Sequence, residues 1–218
     1  MSSDEPGTAE PAGAGAARPR VAGILLAAGA GRRMGGPKAL VRDGHGTPWL
    51  LRTLWVLRSG GLADVTVVLG AGADEAQGLL GAEEVPPRVV VAADWATGLG
   101  ASLRTGLASL ATGEQADPPD AALVMLVDLP DTGADVIARV LGRAERAVAD
   151  GTPATDLLVR ARFTGRPGHP VVLGRHHWAG VLATGTGDRG ARDYLAEHEV
   201  REVECGDLAS GRDVDRRP

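Results

Sequence analysis

The stretch VAGILLAAGAGRRMGGPKAL, residues 21 to 40, leaves an apolar run through Gly29, Gly31, Gly35 and Gly36, with Arg32 and Arg33 between them and Lys38 directly after Pro37. Glycine lets a backbone approach a ligand closely and turn its amide groups toward it. Arginine forks onto phosphate oxygens, and lysine offers a mobile point charge. The combination predicts an anionic ligand, most simply a polyphosphate. Two familiar phosphate loops do not fit the letters. A dinucleotide fingerprint starting at Gly29 needs glycine at 34, where Met34 stands, and no Asp or Glu follows about twenty residues on to hold a ribose. A Walker A loop needs Ser or Thr after Lys38, where the chain has Ala39.

Other segments carry chemistry of their own. In LVMLVDLPD, Asp128 follows a run of five strongly apolar residues and precedes Pro130. A hard carboxylate there suits Mg²⁺ beside a triphosphate, with helix capping or solvent exposure as the plainer reading. DWATGLGASLRTGL, residues 94 to 107, sets glycines and Ser102 before a helix. In residues 165 to 192, His169 lies between Gly168 and Pro170, where a rigid turn can hold the imidazole toward a cleft or simply hydrogen-bond it. Asp188 and Arg192 either contact a substrate or form a surface ion pair of little worth. His176 and His177 are adjacent but lack a recognisable ligand set, so no metal is assigned to them.

These residues must be positioned by the elements around them. VAGILLA, DVTVVLG, PRVVVAA and AALVMLV read as strands, several nearly continuously apolar, as in a parallel sheet covered on both faces. TPWLLRTLWVLRSGG reads as a helix with Thr47 as N-cap, Pro48 at its first position and Gly60 or Gly61 beyond its end. A short helix-compatible segment separates the second and third strands, and helices are expected over about 99–110 and 133–149. DLLVRARF and HPVVLG are strands, followed by a helical region containing ARDYLAEH and a last strand, REVEC. The alternation predicts an α/β fold with a mostly parallel sheet flanked by helices, whose ligands sit outside the carboxyl ends of strands.

Whole-chain properties narrow the classes. A length of 218 residues fits one α/β domain over 20–218, and residues 1–19, rich in Gly, Pro, Ala and acidic residues, read as a disordered leader. The net charge of -5 argues against nucleic acid or an anionic membrane as partner. One cysteine, Cys205, makes neither an internal disulfide nor a thiolate metal site. No apolar run is long enough for a membrane span and no signal pattern opens the chain, so a cytoplasmic location is expected.

Leu26 through Leu40 meet every specified position of L-A-A-G-x-G-x-R-M-G-x-x-K-x-L. In this the chain resembles the MobA-like nucleotidyltransferase family, and more closely its MocA-type, molybdenum cofactor cytidylyltransferase-like branch, over about residues 20 to 205. The P-G-H-P around His169 and the G-D-x-G-A-R around Asp188 and Arg192 favour that branch. The resemblance implies a Rossmann-like nucleotidyltransferase fold. It places the nucleobase and ribose against Leu26, Ala27, Ala28 and Gly29, and the triphosphate against Gly31, Arg33 and Lys38. Gly100 and Ser102 become nucleotide contacts, and His169, Asp188 and Arg192 become acceptor contacts. Mg²⁺ falls to Asp128, with Asp213, Asp215 or neither as second ligand, because the tail GRDVDRRP matches the family ending only in part. Val127 and Asp131 depart from the usual glycine and small apolar residue around the metal aspartate. The implied reaction is transfer of a nucleoside monophosphate, with CTP favoured by the LAAG form, to a phosphorylated molybdenum-pterin acceptor, and a molybdoenzyme then receives the product. Some relatives of this branch are named nicotine blue oxidoreductase, so an NAD(P)H-dependent reductase stays open, as does a delivery protein without turnover.

Overall fold

The computed structural model describes residues 18–112, 118–185 and 187–215, without the side chain of Asp188. Residues 1–17, most of the expected leader, lie outside the described residues. A seven-stranded sheet forms the centre, in the order β3-β2-β1-β4-β6-β5-β7. Its strands are β1 (Val21–Ala27), β2 (Val65–Leu69), β3 (Arg88–Val91), β4 (Ala121–Leu126), β5 (Leu158–Phe163), β6 (Arg166–Gly174) and β7 (Arg201–Glu204). Pairing is parallel except at β6, which runs antiparallel to both β4 and β5. This is the expected mostly parallel α/β sheet.

The helices are α1 (Trp49–Ser59), α2 (Ala73–Gly81), α3 (Leu99–Ala111), α4 (Ala134–Ala149), α5 (Trp178–Thr184) and α6 (Arg192–Ala196). Period-two alternation sorts β1 between two cores. Leu25 and Ala27 join α1, α2 and α4 on one face, whereas Ile24 and Leu26 join α3, α5 and α6 on the other. The connection after β1 leads to β2 on one side, and β4, reached through α3, pairs on the other. The carboxyl ends of β1 and β4 therefore form a topological switch point, the place where open α/β sheets bind ligands.

Two details differ from the sequence reading. Helix α1 begins at Trp49, with Pro48 at the cap position and no side-chain cap. Thr47 is committed elsewhere: its backbone N–H donates to Asp43 Oδ1 at 3.0 Å, and its carbonyl accepts from the Asp43 N–H at 2.9 Å, closing a tight turn before the helix. Strand β6 begins at Arg166, three residues before His169, because Thr164 and Gly165, both at positive φ, turn it back on β5 as a hairpin. The Glu204 carboxylate accepts from the N–H of Thr164 at 2.8 Å and fixes that turn.

Helix α3 lies close on the sheet because residue 106 is glycine. A Cβ there would meet Ile24 Cγ2 at 2.9 Å and Val68 Cγ2 at 3.1 Å. Gly106→Val is expected to lower stability by about 1–3 kcal/mol through overpacking, read as a lower urea midpoint at unchanged slope. The same variant displaces the N-terminal turn of α3 that carries Ser102.

Candidate active site

The glycine loop is built to close on itself. Gly31 is left-handed, at φ 55, and a Cβ on it would lie 2.0 Å from the Gly36 carbonyl oxygen. Met34, only 2% exposed, donates its N–H to the Gly31 carbonyl at 2.7 Å and anchors the loop in the core. Pro37 packs where a Cβ on Gly72 would stand, 2.9 Å away, and a single 3₁₀ turn from Lys38 to Leu40 follows. Two glycines and one buried methionine thus fix the point from which Lys38 departs.

Lys38 reaches across to acidic partners. Its Nζ donates to Asp128 Oδ2 at 2.7 Å and to Asp215 Oδ1 at 2.6 Å. The Arg33 guanidinium stands 3.5 Å from the other Asp215 oxygen. Burial works against the Lys38 ammonium, but the hydrogen bonds and charges of Asp128 and Asp215 outweigh it and hold the pKa above the ordinary lysine value. Asp128 Oδ1 is buried with no hydrogen-bond partner among the described residues. Carboxylate oxygens of Asp128, Asp213 and Asp215 all lie within 4.8 Å of one another, and this is the only such grouping among the described residues. A hard oxygen donor set with one orphaned buried oxygen fits a divalent cation such as Mg²⁺. His176 instead pairs with Asp156, and His177 with Tyr194.

The carboxylates of the tail are held in place by contacts that the sequence did not reveal. Asp131 Oδ2 accepts from the Ser210 N–H at 2.7 Å and from its hydroxyl at 2.5 Å. The Val214 N–H then donates to the Asp128 carbonyl at 3.0 Å. Between them Gly211, at φ +62, crosses the Phe163 ring, where a Cβ would stand 2.1 Å from a ring carbon. Asp131, which departs from the family pattern, is therefore the clasp of the tail.

Two cavities meet at this point. One, of about 370 Å³, is lined by Ala28, Gly29, Gly31, Lys38, Trp95 and Ser102. The other, of about 520 Å³, has a leucine and valine floor and a rim with His169, Arg160, Arg189, Arg192 and Asp213. Leu26, Leu99, Leu126 and Asp128 belong to both walls. Of the remaining sequence candidates, Ala27 is buried in the core, and Arg33, with its side chain 75% exposed, lies outside the lining of the smaller cavity, whose wall holds Arg32 instead. Gly100 does not line it: a Cβ there would lie 2.5 Å from the Gly185 carbonyl oxygen, so this glycine brings α3 against the segment before α6. The side chain of Asp188 lies outside the described residues. Burial, with the charges of Arg160 and Arg192 adding to it, pushes the His169 imidazole down to about 4.

The family model for the MobA-like NTP transferase domain matches residues 23–203. The chain belongs to this family. A relative named nicotine blue oxidoreductase, from Paenarthrobacter nicotinovorans, is 35% identical over 210 residues, which cover 90% of this MobA-like chain and 93% of the relative. Rv0371c from Mycobacterium tuberculosis H37Rv is 29% identical and superposes with a TM-score of 0.67 over 92% of this chain and 95% of that one. The same protein has been solved in complex with manganese, with a TM-score of 0.62 over 85% of this chain and 88% of that one. A nucleotidyl transferase from Methanothermobacter thermautotroptrophicus, 22% identical, shares the fold with a TM-score of 0.70 over 90% of this MobA-like chain and 92% of its own.

Sequence reasoning missed Arg160, Arg189, Trp95 and the clasp residues Asp131 and Ser210. The alternation in DLLVRARF carried a signal for Arg160: it shares a strand face with Leu158, whose side chain belongs to the core beside the larger cavity. Nothing in the letters marks Ser210.

Gly211→Val collides with Phe163 and lifts the tail, so Mn²⁺ affinity by titration is expected to fall at least tenfold while far-ultraviolet circular dichroism stays unchanged. His169 has a native pKa below its unfolded value, so the unfolded chain binds more protons between them and stability falls as pH drops from about 6.5 to about 4. In His169→Gln that loss is expected to shrink, measured by urea unfolding at pH 7 and pH 4.5.

Proposed function

We propose that this chain transfers a nucleoside monophosphate, CMP from CTP being favoured, to a phosphorylated acceptor of the molybdenum-pterin type, with release of pyrophosphate. The observation that carries the proposal is the meeting of the two cavities at one carboxylate wall, with Lys38 in the smaller one and arginines around the larger. A glycine-rich pocket of about 370 Å³ suits a nucleotide, and the larger, apolar-floored pocket suits an acceptor that combines a flat body with negative charge, with Arg192 beside Arg160 and Arg189, which are paired with Glu202 and Asp193. An oxygen of the acceptor phosphate attacks the α-phosphorus, the bond from that phosphorus to the bridging oxygen breaks, and pyrophosphate leaves. The attacking phosphate is already ionised at neutral pH, so no general base is required. His169 is neutral there and can orient the acceptor through a hydrogen bond without altering the charge of the rim.

The work left to the protein is positioning and charge stabilisation. Backbone from Ala28 to Gly31 and the Ser102 hydroxyl orient the nucleotide. Lys38 steadies charge on the reacting phosphoryl group, and Arg33 steadies it on the leaving pyrophosphate. Asp128, with Asp213 and Asp215, would hold Mg²⁺, which when bound neutralises phosphate oxygens. The manganese complex of the M. tuberculosis relative supports a divalent cation in this family. The LAAG form of residues 26–29 supports CTP over GTP by its resemblance to the cytidylyl branch.

The 35% identical relative named nicotine blue oxidoreductase favours a second reading, an NAD(P)H-dependent reduction in the same cleft. Thermal unfolding with CTP, GTP, ATP, UTP or NADPH, each with and without Mg²⁺, separates the two. A ligand at one hundred times its dissociation constant stabilises the native state by about 2.7 kcal/mol. The transfer reading expects a Mg²⁺-dependent shift that is largest with CTP, followed by pyrophosphate release when acceptor is added. A selective NADPH shift with no response to triphosphates would instead put the reductase reading first. Lys38→Ala is expected to slow transfer at least tenfold, since one preorganised donor contributes about 2–4 kcal/mol to transition-state stabilisation. Unchanged turnover in the folded variant would remove Lys38 from the mechanism.

A further inference from the structure

Lys38 and Arg33, the two cations assigned to phosphate, are both engaged by one carboxylate, Asp215, at 2.6 and 3.5 Å. Conversely, two of the three carboxylates that fit a divalent cation are engaged by one ammonium, Lys38, at 2.7 and 2.6 Å. Each side of the ion-pair network occupies the place that a ligand of its own sign class requires. We infer that Asp215 and Lys38 form a hand-over pair: Asp215 holds the phosphate-binding cations until phosphate arrives, and Lys38 holds the cation-binding carboxylates until the divalent ion arrives. Cation and polyphosphate then bind weakly alone and strongly together. This rests on the reading of the cleft as a site for a triphosphate and a divalent ion.

The geometry assigns different parts to the members. Asp128 is the fixed one: it follows β4 directly, its side chain is only 17% exposed, and its carbonyl is tied to the tail. Asp215 is the more exposed of the two, at 47%, and its segment is anchored upstream, at Ser210 and Val214. Lys38 is enclosed, at 15% exposure, but swings on a four-carbon stem. A divalent ion drawing on Asp128 Oδ2 and Asp215 Oδ1 needs the lone pairs that now receive the ammonium, and a positive charge left beside it repels it. Phosphate oxygens remove that conflict by giving Lys38 and Arg33 new acceptors. The buried Asp128 Oδ1, without a hydrogen-bond partner among the described residues, is the acceptor that the ammonium leaves unsatisfied and a divalent ion can use. Because coupling between two ligands is reciprocal, weakening the hand-over must change both bindings.

The test uses the full chain and simple probes. Mn²⁺ titrated without any nucleotide, with free ion read by electron paramagnetic resonance, is expected to bind Lys38→Met at least tenfold tighter than the unsubstituted protein. Inorganic tripolyphosphate titrated in EDTA is expected to bind Asp215→Asn at least threefold tighter, because the competing carboxylate charge is gone. Equal or weaker Mn²⁺ binding by folded Lys38→Met overturns the inference. So does equal or weaker tripolyphosphate binding by Asp215→Asn, which decides the matter alone if Lys38→Met fails to fold. Neither titration contains a base or an acceptor. Absence of CTP-dependent pyrophosphate release would therefore remove the transfer reading while leaving these two results to be judged on their own.

Discussion

Parallel, in-register pairing of β1 with β4 sets Leu26 opposite Leu126, and the ladder ends with the Val127 N–H donating to the Leu26 carbonyl at 3.2 Å. Both strands therefore leave the sheet at the same level. The glycine loop begins on one side of that point and Asp128 on the other, so side chains 90 residues apart in sequence become hydrogen-bonding neighbours. Backbone hydrogen bonds between two buried strands are among the least yielding parts of a fold, which lets the charged groups above them be placed without support from a rigid lid.

The remaining charges follow from that placement. Asp128 projects from the end of a buried strand and needs a cation, and the loop supplies one. The tail then adds two more carboxylates, of which Asp215 is paired with both Arg33 and Lys38. Asp131 and Phe163 hold the tail at a distance from that electrostatic balance, one by hydrogen bonds and one by receiving a residue without a side chain. Position and charge are thus supplied by separate parts of the chain.

Much of this was legible in the letters because buried parallel strands are almost uniformly apolar and because glycine and proline mark where they stop. The helices that follow β1, β2, β3 and β4 were marked by the same punctuation. Thr47 misled because its type suits a helix cap, while Asp43, four residues earlier, had already claimed its amide. The reversal of β6 was not legible, since VVL packs equally well in either direction and only the hairpin at Thr164 and Gly165 decides it. The tail was the hardest part: GRDVDRRP has no periodicity, and its place depends on the serine just before it and on an aspartate and a ring from two distant segments. Lys38 and Asp128 were each readable as ligand-binding groups, but their direct contact is a fact of three dimensions.

Trp95 has a consequence of a different kind. Its side chain lies against the backbone of Gly70, where a Cβ would come within 2.6 Å of the ring, and it forms part of the wall of the smaller cavity. Trp49 and Trp178 are buried in the two cores, and Trp55 is bonded to Glu83 on the outer surface of α1. Of the four indoles in the chain, one is thus placed to sense what enters the cleft and three are insulated from it. A change of indole emission on filling that cavity would therefore be assigned to Trp95, with no label attached.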